Sequence, residues 1–222
     1  MAEQVTGPRG SREPAAFLGG LGIIIVVVTG LVIATVGRDL PLGLDQTWHD
    51  FLASHRSAAA DVVAHLLNIA GGTLAMTIVT AVIAVGLAIR RNFRAAISVA
   101  LTVAVASGIS SLIKVGVARP RPFDGVVDTA SDSFPSGHTT TAAAITIALL
   151  IVFPLGWARV LAAVWIPLMA VSRNYLLVHW LSDVVAGALL GASVALIVSA
   201  VVRTAAARIL KEPSTDRAPI TS

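Results

Sequence analysis

Residues 172–183 read SRNYLLVHWLSD, and this stretch places an arginine, a histidine and an aspartate inside a sequence that is otherwise almost entirely apolar. His179 and Asp183 are four residues apart, so on a helix they lie on one face, where a carboxylate can bond an imidazole. Such a bond fixes the ring tautomer and makes the other nitrogen a better base or nucleophile. Arg173 adds a permanent cation whose planar guanidinium suits phosphate oxygens.

The composition around this stretch is that of an integral membrane protein. Of 222 residues, 56% are apolar and only 13% are charged, and the mean hydropathy is +0.86. A soluble domain of this size could not bury so much apolar surface. The absence of cysteine excludes disulfides and thiolate metal sites. The net charge of +4 comes from basic residues at the ends of apolar runs, which fits membrane topology better than a nucleic-acid partner.

The apolar runs predict an all-α bundle of six transmembrane helices. The six-helix domain is expected over residues 17–203, between disordered tails of residues 1–16 and 204–222. The first apolar run is too long for a signal-peptide core, so we expect it to be retained as a helix. The expected spans are residues 17–36, 61–89 (interrupted at Gly71-Gly72), 95–113, 136–154, 160–178 and 179–202.

Two further features concern how these helices are arranged. Residues 37–60 form a connecting segment, in which Trp48 and Phe51 indicate a short amphipathic piece at the membrane interface. Gly187 and Gly191 have the spacing of small residues at a close helix contact, although glycine is also simply tolerated in membrane helices.

Basic residues in the short loops set the expected orientation. Arg90, Arg91, Arg94 and Arg159 share one side with both tails, so the positive-inside rule makes that side of the cell membrane cytoplasmic. The loops of residues 114–136 and 173–183 then share the extracytoplasmic side. Cations there depart from the rule, and an anionic ligand would account for them.

Three polar clusters share this outer face and supply the parts of a phosphoryl-transfer site. Their three cations can surround a phosphate, and a serine hydroxyl and a glycine N–H at a helix start add anion-binding donors. Of the two histidines, the spacing to Asp183 marks His179 as the attacking group, which leaves His138 as the acid. The clusters are Lys114 with Arg121; Ser136 with Gly137 and His138; and Arg173 with His179 and Asp183.

These clusters resemble the motifs of the type 2 phosphatidic acid phosphatase superfamily of membrane lipid phosphatases. The resemblance covers about residues 40–200 and implies a phosphatase of lipid mono- or diphosphates that needs no metal and no cofactor. It also implies a phosphohistidine on His179, oriented by Asp183, with His138 protonating the leaving group. The matching residues are Lys114 with Arg121-Pro122, then Pro135-Ser136-Gly137-His138, then Ser172-Arg173 with His179 and Asp183.

Two other functions are compatible with the same residues. One is transfer of the phosphoryl group to an acceptor lipid. The other is an anion or lipid transporter, which is disfavoured because the polar clusters lie at one end of the spans rather than at mid-depth. Phosphatidic acid, phosphatidylglycerol phosphate and polyprenyl diphosphates all fit as substrates, and the oligomeric state is open.

Residues outside the motifs have expected roles other than catalysis. Arg119 is expected either to contact a head group or to face solvent, and Asp61 with His65 to form a structural pair. Trp48, Trp157 and Trp180 are expected as interfacial anchors, with Trp180 also a candidate wall of the pocket. No metal-ligand pattern fits the histidines and aspartates of the connecting segment, which are Asp45, His49, Asp50 and His55.

Overall fold

The structure, a computed structural model, describes residues 12–36 and 41–209, and these form eight helices. Three of them, α1, α5 and α8, are long and apolar enough to cross a membrane, and α3 with α4 gives a fourth candidate span bent by 56°. The all-helical class is confirmed for the described residues, whereas the count of six spans stays a prediction. The helices are α1 (Arg12–Val36), α2 (Gly43–Ser54), α3 (Ala58–Ala70), α4 (Thr73–Ile89), α5 (Phe93–Val117), α6 (Gly137–Val152), α7 (Gly156–Tyr175) and α8 (Leu181–Ile209).

Helix α8 is the centre of the bundle and packs against α1, α5 and α6. A Cβ atom added at Gly187 would lie 2.6 Å from the carbonyl oxygen of Ser136, and one added at Gly191 would lie 2.2 Å from that of Thr140. No larger side chain fits where the two backbones are this close. The small residues therefore serve a close approach of α6 and α8 within the bundle, as one of the two interpretations of their spacing predicted.

One expected helix boundary is confirmed, and others differ from the prediction. The predicted interruption at Gly71-Gly72 is confirmed, because α3 ends at Ala70 and α4 begins at Thr73. Helix α1 begins at Arg12 and α8 continues to Ile209, so both extend into segments expected to be disordered tails. The rest of those two segments, residues 1–11 and 210–222, lies outside the described residues, as do residues 37–40 of the connecting segment.

All three motif clusters meet at one end of the bundle because of the helix directions. Helix α5 ends three residues after Lys114, α6 begins at Gly137, and α7 and α8 meet around His179. The turn that carries Arg90 and Arg91 lies before α5, whose 25 residues span about 37 Å. These two arginines therefore lie at the end of the bundle that is opposite the motif clusters.

Helix α2 differs from the amphipathic interfacial piece predicted for the connecting segment. It packs against α7 and α8 near the motif clusters. Its buried residues are Asp45, His49 and Leu52, so the face turned toward the protein is partly polar. Phe51 is exposed.

Candidate active site

A cavity of about 650 Å³ opens among the motif clusters. Six of the eight predicted site residues line it, and the other two, Ser136 and Asp183, lie completely buried behind its wall. The fold therefore brings the three clusters to one place. The six lining residues are Lys114, Arg121, Gly137, His138, Arg173 and His179.

His179 lies in the turn between α7 and α8, and its two ring nitrogens have different partners. Nδ1 is 3.3 Å from Oδ2 of Asp183, which also accepts a 2.9 Å hydrogen bond from the backbone N–H of Trp180. Nε2 is 3.1 Å from Nη1 of Arg121 at the cavity. Burial lowers the pKa of His179 well below its ordinary value, and the positive charges of Arg121 and Lys114 lower that pKa further. The ring is therefore neutral, with Nδ1–H directed to the carboxylate and a lone pair on Nε2.

The three cations at the cavity are held by neutral oxygens. Lys114 Nζ donates to the backbone carbonyl of Asp132, and Arg121 Nε donates to that of Ser131 at 2.7 Å. Arg173 Nη1 donates to the side-chain oxygen of Asn68. None of the three cations forms an ion pair with a carboxylate in the described part of the chain. Their positive charge is therefore available to an anion in the cavity.

The second cluster is at the start of α6, where its three residues occupy different positions. Gly137 is the first residue of the helix and lines the cavity. Ser136 precedes it, and its hydroxyl accepts a hydrogen bond from Thr139 at 3.2 Å behind the wall. The Ser136 hydroxyl therefore does not reach the cavity, where it was expected to contact a phosphate. His138 lines the cavity with its Nε2 3.2 Å from the backbone carbonyl of Asn68.

Arg119 differs from its expected role, because it is 1% exposed and contacts neither solvent nor the cavity. Its Nη1 lies 2.6 Å from Oδ1 of Asp183, and its Nη2 lies 2.7 Å from Oδ2 of Asp45. A buried guanidinium is tolerated where carboxylates surround it, since an unpaired buried charge is strongly destabilising. This arrangement could not be predicted from local spacing, because Asp45 and Arg119 are 74 residues apart and belong to no common motif.

The PAP2 superfamily model matches residues 95–207, which is just over half of the chain and includes all eight predicted site residues. The chain belongs to the PAP2 superfamily. This assignment confirms the family expected from the three motif clusters.

Two known proteins are similar in sequence to this PAP2 chain. An undecaprenyl-diphosphatase of Sulfolobus acidocaldarius is 25% identical over 176 residues, which cover 76% of this chain and 84% of the relative. A decaprenylphosphoryl-5-phosphoribose phosphatase of Mycobacterium tuberculosis is 44% identical over 104 residues, covering 44% of this chain and 55% of the relative.

Two crystal structures share the fold, each at 21% sequence identity. The PAP2-type phosphatidylglycerolphosphate phosphatase from Bacillus subtilis superimposes with a TM-score of 0.70, over 89% of this chain and 100% of that chain. LpxE of Aquifex aeolicus superimposes with a TM-score of 0.63, over 72% of this chain and 96% of that chain. The likeness places this PAP2 protein in a membrane-protein fold.

Tryptophans of this PAP2 protein outside the motifs depart in part from the roles expected for them. Trp180 is 8% exposed, so it is not an interfacial anchor, and it is not part of the cavity wall. Its Nε1–H donates to the carbonyl of Pro120 at 3.1 Å. Trp48 is partly buried and donates to the side-chain oxygen of Asn174 at 3.2 Å. Only Trp157 is largely exposed among the three tryptophans expected at the interface.

The expected pair of Asp61 and His65 does not form between side chains. The Asp61 carboxylate bonds Arg56 instead, and Nδ1 of His65 lies 2.8 Å from the backbone carbonyl of Asp61.

Within residues 12–36 and 41–209, no group of three or more histidines, cysteines, aspartates or glutamates could hold a metal ion. Nε2 of His49 contacts Asp124 at 2.9 Å.

Proposed function

We propose that this PAP2 protein is a membrane phosphatase that hydrolyses a lipid phosphate through a phosphohistidine on His179. One observation supports this most strongly. Nε2 of His179 faces a cavity with three cations that carry no paired carboxylate among the described residues, while Nδ1 of the same ring contacts Asp183. An oriented neutral imidazole beside a cationic anion-binding site is what attack on phosphorus requires.

In the proposed first step, the lone pair on Nε2 of His179 attacks phosphorus, and the bond from phosphorus to the lipid-side oxygen breaks. His138 gives a proton to that oxygen. The contact of its Nε2 with the Asn68 carbonyl holds the ring, which leaves Nδ1 to exchange the proton. In the second step, water attacks phosphorus and gives a proton to His138, while the bond from phosphorus to Nε2 of His179 breaks. Inorganic phosphate leaves, and neutral His179 is restored.

The charge that develops on the phosphoryl oxygens would be neutralised by Lys114, Arg121 and Arg173. Three fixed cations around one cavity can supply the stabilisation that other phosphoryl-transfer enzymes obtain from magnesium. The N–H of Gly137, at the start of α6, would add a backbone donor. We therefore propose that the reaction needs neither a metal ion nor a cofactor.

The lining of the cavity favours a monophosphate on a hydroxyl-bearing head group over a diphosphate. Its three cations lie at the motif clusters, and the polar part of the remaining wall consists mainly of hydroxyls, together with Asp128 and Asp132. Ser110 is 2% exposed, and its hydroxyl has no hydrogen-bond partner among the described residues. Neutral hydroxyls suit a polyol better than a second phosphate. The hydroxyl-bearing residues are Thr73, Thr77, Ser107, Ser110, Ser111, Thr129, Ser131 and Thr141.

The two relatives named above act on polyprenyl lipids, one a diphosphate and the other a phosphoribose, and this supports a polyprenyl anchor for the substrate. We further propose a multi-pass protein of the cell membrane with six spans over residues 17–203. Both termini would be cytoplasmic and the cavity extracytoplasmic, because Arg90 and Arg91 lie at the opposite end of the bundle.

The test is phosphate release by the purified full-length chain in detergent with excess chelator. We expect release from a lipid monophosphate with a hydroxylated head group, and slower release from a polyprenyl diphosphate. His179→Ala should abolish turnover and keep vanadate binding, whereas His65→Ala, whose exposed ring bonds the backbone of its own helix, should keep both. Failure to hydrolyse any lipid phosphate contradicts the function, and an absolute need for a divalent ion contradicts the role of the cations.

A further inference from the structure

We infer that Asp45 and Arg119, which lie outside the family's three motif clusters, are positioning residues for the reaction. Asp45 holds Arg119, Arg119 holds Asp183, and Asp183 holds the ring of His179. This inference rests on the phosphatase function proposed above. It adds a second layer of residues that act through His179 without touching the substrate.

The contacts form a continuous network that ends at the cavity, with two short ion-pair hydrogen bonds and one longer contact to His179. Oδ2 of Asp45 accepts from Nη2 of Arg119 at 2.7 Å, and Oδ1 of Asp183 accepts from Nη1 at 2.6 Å. The other carboxylate oxygen of Asp183 faces Nδ1 of His179 at 3.3 Å. Because Arg119 fixes one oxygen of Asp183, the carboxylate cannot rotate without breaking a buried ion pair, and the second oxygen stays directed at the imidazole.

Ser182 connects this hydrogen-bond network to the start of α8. Its backbone N–H donates to Oδ1 of Asp45 and its hydroxyl donates to Oδ2, both at 2.7 Å. The same hydroxyl accepts from Nη1 of Arg119 at 2.7 Å. Asp45 is therefore bound to the residue next to Asp183 as well as to the arginine that holds Asp183, so a shift of Asp45 would move both.

Helix α2 supplies the support through one face. Asp45, Trp48 and His49 are three and four residues apart, so they lie on the same side of the helix. Trp48 donates to Asn174, whose side-chain N–H donates in turn to the backbone carbonyl of His179 at 2.8 Å. Two routes therefore run from α2 to His179, one through the imidazole and one through the backbone.

The network is poorly explained by stability alone. Asp45, Arg119 and Asp183 are each no more than about 1% exposed, and removing three charged groups from water is strongly unfavourable. Apolar side chains of similar size would stabilise a helix junction as well or better. A chain of charges that ends on the ring of the attacking residue instead suggests that its role is to orient that residue.

The test is the kinetics of Asp45→Asn in the purified full-length protein, with a lipid phosphate that the wild type hydrolyses. Asparagine keeps the size of the side chain and removes the charge that holds Arg119. We expect kcat to fall about 100-fold, as a slight misplacement of a reacting group typically causes. KM and the affinity for vanadate should stay within about twofold of wild type, because the cations that bind phosphate are untouched. The matched control is Asp50→Asn on the same helix, whose side chain is 64% exposed and which should keep wild-type kinetics.

A double-mutant cycle separates positioning from a general loss of structure. If Asp45 acts through Asp183, then Asp45→Asn combined with Asp183→Asn is no slower than Asp183→Asn alone. Multiplying effects, or wild-type kcat in folded Asp45→Asn protein, would overturn the inference. Should Asp45→Asn not fold, Arg119→Lys decides, because lysine keeps the charge but lacks the planar fork that bonds both carboxylates. A kcat reduced about tenfold at unchanged KM supports the inference, and an unchanged kcat overturns it. An inactive wild type would instead refute the proposed function.

Discussion

Replacement of Asp183 by asparagine tests the central contact of the site, because the two side chains have the same shape. In the wild type, one carboxylate oxygen accepts from Arg119, and the other accepts from the backbone N–H of Trp180 and faces Nδ1 of His179. An amide has one oxygen and one NH₂ group, so it cannot accept on both sides. If the oxygen faces Arg119, the NH₂ group meets the N–H of Trp180 and forces Nδ1 of His179 to act as acceptor.

That tautomer puts the hydrogen on Nε2, the atom that should attack phosphorus. In the opposite orientation, the NH₂ group faces the buried Arg119 cation, which is then left with one carboxylate partner. This second orientation would keep the tautomer of His179, but it sets an NH₂ donor against a buried cation. The first orientation is therefore favoured, and it removes the correctly protonated nucleophile. The equivalent aspartate-to-asparagine change in a serine protease triad lowers kcat by about 10⁴-fold through the same loss of tautomer. We expect a decrease of about 10³- to 10⁴-fold here, with KM little changed.

The assay is steady-state phosphate release in detergent, together with vanadate binding and thermal melting to establish that the variant is folded. Asp61→Asn is the matched control, because Asp61 bonds Arg56 away from the cavity. A folded Asp183→Asn protein whose kcat lies within tenfold of wild type would refute the orientation of His179 by Asp183.

Three more predictions concern packing, charge and pH. Gly191→Ala should lower the free energy of unfolding by about 1–3 kcal/mol in thermal or denaturant unfolding, because the added Cβ would lie 2.2 Å from the carbonyl oxygen of Thr140; Gly86→Ala, where an added Cβ meets nothing within 4 Å, is the control. Arg121→Gln should lower kcat/KM by about 10²- to 10³-fold and weaken vanadate binding, since it removes one of three cations from the cavity. The lowered pKa of His179 means that the folded state binds fewer protons there than the unfolded state below about pH 6.5, so this residue should reduce stability as pH falls from 7 to 5. Melting curves of wild type and His179→Asn across that range check the sign: the wild type should lose stability relative to the variant.

The results that would contradict these three predictions are distinct. For Gly191→Ala, it is a melting temperature equal to that of Gly86→Ala. For Arg121→Gln, it is vanadate affinity equal to wild type. For the pH dependence, it is a stability difference between wild type and His179→Asn that stays constant or grows in favour of the wild type on acidification.

Much of the candidate site could be predicted because its residues are tied together by local spacing. The contact of His179 and Asp183 follows from a separation of four residues, and the family follows from the order and spacing of three motifs. The close approach of α6 and α8 was signalled by two glycines one turn apart. The helical membrane class follows from composition alone, because a soluble domain of this size could not bury so many apolar residues.

The same reasoning was insufficient where spacing carried several meanings. Asp61 and His65 are four residues apart, as His179 and Asp183 are, but with the aspartate first. Their side chains do not meet, because the Asp61 carboxylate bonds Arg56 instead. The Ser136 hydroxyl was predicted to bind phosphate, but it bonds Thr139 behind the cavity wall. Which way a side chain faces depends on the neighbours that the fold supplies.

The sequence by itself determined that this chain is a helical membrane protein of the PAP2 superfamily, and it predicted which residues would bind and attack a phosphate. Only the tertiary structure decided what surrounds them. It buries Arg119 between Asp45 and Asp183, and it brings Asn68 to Arg173 across 105 residues of sequence. The physical reason is that hydropathy and helix periodicity act over one or two turns, whereas a buried charge finds its partner through the packing of whole helices.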